Sequence, residues 1–394
     1  MEAYAGEWLQ LVVRWVHLVT GIAWIGASFY FVFLDLSLLP SKRQADADEG
    51  VGGELWAIHG GGFYHAQKYK VAPATLPEPL HWFKWEAYWT WLSGVALFAL
   101  VYYAHAGTYM VDRAVADIAP WQAVALSVAL LPAGWVFYDQ LCKRLGLGHE
   151  RVLAVAMILF FAAVAWGLSH VYSGRAMYMQ VGAMIGTIMA WNVYFVIMPG
   201  QRRLVEAKVA GVPPDPIHGL NGKQRSVHNN YLTLPVLFIM ISNHYPLTFG
   251  HRHAWLVLVA IMLIAAFVRH FFNLRHVGRT VWAIPAAAAV ATLALAVAIA
   301  PAKPQAAAWT FADVERIVAV RCATCHAGKP TQQGFNDPPK GFVLDSPAAI
   351  VAGAQKIHEQ AVASRVMPIG NLTGMTDAER ATLGAWIAAG APAK

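Results

Sequence analysis

Cys322 and Cys325 stand three residues apart, and His326 follows the second directly. On a helical turn, two thiols at that spacing can form thioethers to two edge groups of one haem. The adjacent imidazole falls on the same face and reaches the iron, which is the C-x-x-C-H attachment pattern of c-type haem. A zinc site would need a second ligand pair, and the remaining cysteine, Cys142, lies far away in the chain. A dithiol redox pair would want a βαβ setting that is absent here. For the second axial ligand Met367 is the better placed methionine, in a loop that Pro368 and Gly370 hold out of helix. A thioether there raises the reduction potential. Met375 sits in a similar loop and reads as a packing residue. Thr376 with Glu379 is a capping box opening a last helix that ends near Gly390, and Phe311 to Val320 reads as a first helix. Residues 309–394 therefore read as a small helical cytochrome c domain.

The elements before it must live in a membrane. A mean hydropathy of +0.45, with 58% hydrophobic and 13% charged residues, is far from soluble averages. Stretches near 8–38, 87–105, 121–141, 152–170, 177–198, 228–244, 253–272 and 281–300 are apolar enough to span a bilayer. The sixth is the weakest, being short and opening on His228, Asn229 and Asn230. Pro132, Pro235 and Pro285 suggest kinks. The first stretch lacks a basic n-region and a small-residue cleavage site, so it reads as a retained span. The expected fold is all-α: a polytopic bundle of about eight transmembrane helices over 1–300, a Pro/Ala linker over 301–308, and the helical cytochrome domain.

Two arguments orient it. A covalent c-type haem is attached outside the cytoplasm, which places the C-terminal domain, and with an even number of spans the N-terminus, on the periplasmic side. By the positive-inside rule the loops on the other side should be basic. Those loops carry most of the Lys and Arg, whereas the outer loops hold only Arg113, Arg175 and Arg252. The two arguments agree. They also account for the formal net charge of +7; no basic nucleic-acid module is visible, and lipid headgroups are the natural partner of these cations.

Polar residues at costly depths point to function. Arg14 and His17 lie within the first span, and histidines gather at both ends of the others. Three inner segments combine cations, amides and aromatic rings. One is the long first loop, with His59, a Gly60-Gly61-Gly62 run that permits close backbone approach, Lys68, Lys70 and, near its end, Glu86. The others hold His228, Asn229 and Asn230, then Arg269, His270 and Asn273. Such groups suit a flat anionic heterocycle: Arg or Lys offsets charge, Asn reads ring edges, aromatic faces stack. Contact with lipid headgroups is the bland explanation for part of the set.

The stretches HGGGFYHAQKYKVAPATLPEPLHWFKWEAYWTWLSG, SVHNNYLTLPVLFIMISNHYP and RHFFNLRH, with CATCH and MPIGNLTGMT following in order, resemble the PuuD-type membrane-bound urate hydroxylases of bacterial purine breakdown. The resemblance covers essentially the whole chain. It implies an eight-span domain of the bacterial inner membrane fused to cytochrome c. It also implies oxidation of urate to 5-hydroxyisourate, with electrons leaving through the haem to a respiratory oxidase or a soluble cytochrome. RWVHLVTGIAWIGASFYF is also similar to the first span of the membrane protoporphyrinogen oxidase family. That likeness implies a haem b, or another metal, held by His17; His170 and His244, at the outer ends of other spans, are candidate opposite ligands by position. Such a relay would meet a physical need, because electrons from an inner site must cross a core about 30 Å thick.

Chemically, the oxidation needs a proton acceptor, for which His is suited near neutral pH and Glu86 is the rival. Two other functions fit the composition: a quinol or other cytochrome c-linked dehydrogenase, and a non-enzymatic subunit that anchors a cytochrome. An apolar pocket open to lipid would favour the first. Polar segments scattered to headgroups would favour the second.

Overall fold

Each apolar stretch is a helix. The computed structural model describes residues 2–300, 308–332 and 335–393, so the expected linker at 301–308 lies outside the described residues save for Ala308. Helix α1 is Glu2–Leu36 and α2 is Trp85–Phe98, prolonged by a π-helical turn over Ala99–Tyr103. Helices α3, α4 and α5 are Pro120–Leu145, Glu150–Leu168 and Gly174–Val209, the last containing a π-helical turn at Val193–Ile197. Helices α6, α7 and α8 are Pro216–Ser242, Ala254–His276 and Ala283–Ala298. Among them α1, α3, α4, α5 and α7 are long and apolar enough to cross a membrane, and α8 is a shorter apolar helix.

The sixth stretch is much longer than its apolar part. Asp215 caps α6, its carboxylate accepting the Ile217 N–H at 2.9 Å, and Pro216 occupies the first helical position. The polar first half is helical because it packs against α5 and its extension, not because it is apolar. Pro285, expected to kink the last span, instead falls in the first turn of α8, where no intrahelical N–H is lost.

Helix α5 forms the centre. Its Tyr178, Val181, Met184, Ile185 and Ile188 are fully buried, with α3, α6, α4, α7 and α2 around it. Two glycines allow this closeness: a Cβ on Gly134 of α3 would stand 2.5 Å from the Met184 side chain, and one on Gly182 would stand 2.5 Å from that of Ile239. Small residues are what let apolar helices approach in lipid. Helix α1 leans mainly on α2, with α6 and α7 behind it.

The first loop departs from expectation. Strands β1, Val51–His59, and β2, Gly62–Tyr69, pair as an antiparallel hairpin. Gly60 and Gly61 form its two-residue turn at φ 57° and 83°, in open space. A tight hairpin turn of this kind requires positive φ at both positions. Their role is therefore the turn and not close approach to a ligand. The hairpin is tied to the bundle by Asp35, which pairs with Lys68 and, at 2.8 Å, with Lys223. The connections 37–84, 146–149 and 210–215 share this end of the bundle, the hairpin end, and Lys208 near the end of α5 reaches the Ala74 carbonyl across it at 2.9 Å.

The C-terminal segment builds its own core from Val314, Ile317, Val318, Leu344, Leu383 and Trp386. Helix α9 is Phe311–Arg321, α10 is the short Ala323–His326, and α11 is Asp377–Ala388. The expected capping box is formed: Thr376 and Glu379 exchange side-chain to backbone hydrogen bonds at the start of α11.

Candidate functional site

Arg269 is 4% exposed in α7. Its Nε donates to Asn230 Oδ1 of α6 at 2.9 Å, and Nη2 donates to Asn273 Oδ1, one turn on, at 3.0 Å. The guanidinium lies 4.3 Å from the ring centre of Phe29 in α1. Two features leave this cluster incomplete. Among the described residues no carboxylate pairs with Arg269. Asn230 is fully buried and its Nδ2 has no hydrogen-bond partner. A buried cation and a buried amide donor without partners are both costly. Beside them is a cavity of about 410 Å³ lined by Phe29, Tyr30, Phe33, Leu234, Arg269, Phe272 and His276. A second, of about 360 Å³, shares Phe33, Phe272 and His276 with it and adds Ser37 and Arg275. Together they make an aromatic-walled groove between α1 and α7, with cations on its α7 side.

His228 and Asn229 go elsewhere. They belong to a second polar cluster between α3, α4, α5 and α6. Asn192 Nδ2 donates to the Tyr138 hydroxyl oxygen at 3.1 Å and to Asn229 Oδ1 at 3.0 Å. Because the amide donates to it, the Tyr138 hydroxyl is free to donate to His228 Nδ1, 2.7 Å away. His228 Nε2 then faces Glu150 at 3.4 Å, a carboxylate half exposed at the hairpin end. Below this chain Arg225 pairs with Asp139 at 2.8 Å and lies over the Tyr138 ring at 4.8 Å; Lys143 also reaches Asp139, at 2.7 Å. Asn192 Oδ1 and Arg225 Nη1 are buried without partners. Such a directed line of hydrogen bonds can carry a proton from the buried tyrosine to the surface.

The other expected contacts are dispersed. His270 bonds the Tyr231 hydroxyl at 2.7 Å. His59 is exposed at the hairpin turn, Lys68 is held by Asp35, and Lys70 lies at the hairpin base against Gly52. Burial, then the neighbouring Lys223 ammonium, lowers the Lys68 pKa. Glu86 stands in the first turn of α2, joined by no hydrogen bond to either cluster.

His17 donates from Nδ1 to the Thr90 carbonyl at 3.0 Å, with Ser93 Oγ at 3.2 Å, and its ring lies against Gly94. Anchoring one ring nitrogen leaves Nε2 available, as in metal-ligating histidines. His170 is exposed and bonds the Trp166 carbonyl at 2.8 Å. No hydrogen bond or ring contact joins His17 to His170 or His244. Among the described residues no three His, Cys, Asp or Glu side chains gather as metal ligands.

In the C-terminal unit the three residues of the attachment pattern share one short turn at the margin of the core. Cys322 and Cys325 form no disulfide and are both part-buried there. His326 Nδ1 donates to the Phe342 carbonyl at 2.9 Å, which orients the ring and leaves Nε2 free. Met367 packs against the same core, and its carbonyl accepts from Arg380 at 2.7 Å. Met375, by contrast, is 4% exposed and part of the core itself. The donor set fits a covalently held haem.

A family model described as urate oxidase N-terminal matches residues 3–300. The chain belongs to the urate oxidase N-terminal family. Comparisons with curated proteins and with solved structures give no match. The family region spans α1 to α8, so both polar clusters belong to it and the C-x-x-C-H turn lies beyond it.

Within the family region, six members of the second cluster escape a reading by segments: Tyr138, Asp139, Lys143, Glu150, Asn192 and Arg225. A signal for two of them exists. Asp139 and Asn192 sit inside expected spans, where a polar side chain is costly enough to mark a site. Phe29, which stacks on Arg269, carries no such signal, since an aromatic in a span is ordinary packing.

Proposed function

We propose that this protein is a membrane-bound urate hydroxylase. It oxidises urate to 5-hydroxyisourate, with water adding to the ring and two electrons and two protons leaving. The observation that carries the reading is the groove at Arg269: a buried guanidinium that no carboxylate pairs among the described residues, beside aromatic walls, in a chain of the urate oxidase N-terminal family. Urate is a flat monoanion rimmed with carbonyl oxygens. Its charge compensates Arg269, and Phe29, Phe33 and Phe272 enclose the ring.

Cys322 and Cys325 would hold a haem c covalently, with His326 and Met367 to bind its iron, and the group would supply one-electron acceptance outside the bundle. A relay haem or another metal, if one is bound in the bundle, would take His17 as a ligand. The protein sits in the bacterial inner membrane, hairpin end in the cytoplasm, and a respiratory oxidase or soluble cytochrome takes the electrons. The largely apolar lining of the groove gives a quinol reading some support, but a neutral quinol leaves the guanidinium uncompensated.

The test is urate binding to the purified protein and to Arg269→Ala. Loss of a charge-assisted hydrogen bond should weaken binding by about 1.5–3 kcal/mol. Unchanged affinity for urate, or an unchanged response to a short-chain quinol with no response to urate, would move the site or the substrate.

A further inference from the structure

At the end of the bundle opposite the hairpin, backbone meets backbone across two glycines, one from each side. Gly370, at φ 55°, lies so close to the bundle that a Cβ there would stand 2.9 Å from the Val111 carbonyl oxygen and 3.2 Å from that of Thr108. Gly250, in the connection between α6 and α7, faces the Ser364 carbonyl so closely that any side chain would overlap it. Between these two points Val366 packs against the bundle core, and Ser364 and Val111 are each 6% exposed. The C-terminal residues involved fall within 364–371, the loop that contains Met367.

The same loop is braced from its other side. Arg380, 7% exposed, donates to the carbonyls of Met367 and Ala361, and its guanidinium is within electrostatic reach of Asp112 on the bundle. A domain swinging freely on its linker would have no use for two glycines at points of backbone contact. Glycine is needed where another backbone must come this near.

We propose that the surface formed by Thr108, Val111 and Gly250 is a built seat for the 364–371 loop. The methionine side of the C-terminal unit is docked there as the electron-receiving face. Electron delivery is then an intramolecular step through a fixed contact, not a diffusive encounter. The electron-transfer role rests on the urate reading; the docking itself does not.

Hydrogen exchange on the full-length protein in lipid nanodiscs separates the two. Gly250→Leu should raise exchange at least tenfold in the 364–371 peptide, and Gly370→Leu should do so in the 106–111 peptide. Each variant thus acts on the segment across from it, and the 51–69 hairpin is unchanged. Asp112→Asn, which removes the charge facing Arg380 without adding bulk at the contact, should loosen 364–371 in the same direction if either glycine variant fails to insert. Absence of these cross-effects overturns the seat. In the same variants covalent haem staining and reduction by dithionite should be retained, while urate-driven reduction slows at least tenfold. Cross-effects with an unchanged urate-driven rate would overturn the electron-receiving role. Cross-effects in a protein whose haem never responds to urate would leave the seat standing and sink the urate reading.

Discussion

Arg269, Asn230 and Asn273 show how single side chains decide the site. Asn273 follows Arg269 by four residues and shares its helix face, so the two meet. His228, Asn229 and Asn230 are consecutive, and successive helical residues point about 100° apart. One site cannot take all three: Asn230 turns to α7, while His228 and Asn229 turn to α3 and α5. Residue types were legible in the sequence; their division between two clusters was not, because it depends on which neighbour each face meets. The two methionines of the C-terminal unit separate in the same way. Met375→Ala should cost about 2–5 kcal/mol of stability by emptying a packed core, without altering the haem potential. Met367→Ala should lower the potential in a redox titration and change the ferric spectrum, with a smaller effect on unfolding; the reverse pattern would exchange their roles.

Glu379 adds a pH dependence at the same scale. Burial opposes its ionisation. Hydrogen bonds from the Thr376 backbone and from Arg321, with the Arg321 charge, outweigh that and hold its carboxyl below the ordinary range. A depressed folded pKa means the ionised capping box stabilises above the unfolded value, and that stability is lost as pH falls through the folded value. Melting curves of wild type and Glu379→Gln should therefore differ at pH 7 and converge towards pH 3. A gap that persists in acid would contradict a stabilising role for the Glu379 charge beside Arg321.

Among the elements, the helices were readable from length and hydropathy, and the capping box at Thr376 closed as its spacing requires. The hairpin was not, because β1 and β2 lie in a stretch whose glycines and aromatics suit a loop as well as a strand pair. Nor was the true length of α6, whose polar half gives no apolar signal. Packing between helices turns on glycines that the sequence does not distinguish. Gly182→Ala, with Ile239 in its way, should lower thermal stability in detergent by about 1–3 kcal/mol. Gly186→Ala, one turn along α5 and facing open space, should be neutral or stabilise by about 0.5–1 kcal/mol. Equal effects at the two positions would mean that α5 and α6 do not pack as described.

At the scale of the whole molecule, the chain sets a groove with a lone buried guanidinium towards one end of a bundle and a thiol–thiol–imidazole turn in a unit docked at the other. The family match and the groove bear on what is oxidised; the C-terminal turn bears on where electrons go. The two halves make one enzyme only if substrate at the first reduces a haem at the second. The decisive measurement is the absorption spectrum of the purified full-length protein under strict anaerobiosis, with a pyridine haemochrome count, before and after urate is added. One covalent c-type haem per chain is expected, oxidised at rest and reduced by urate as 5-hydroxyisourate appears. A c-type haem that dithionite reduces but urate does not, or a urate-active protein that carries none, would contradict it.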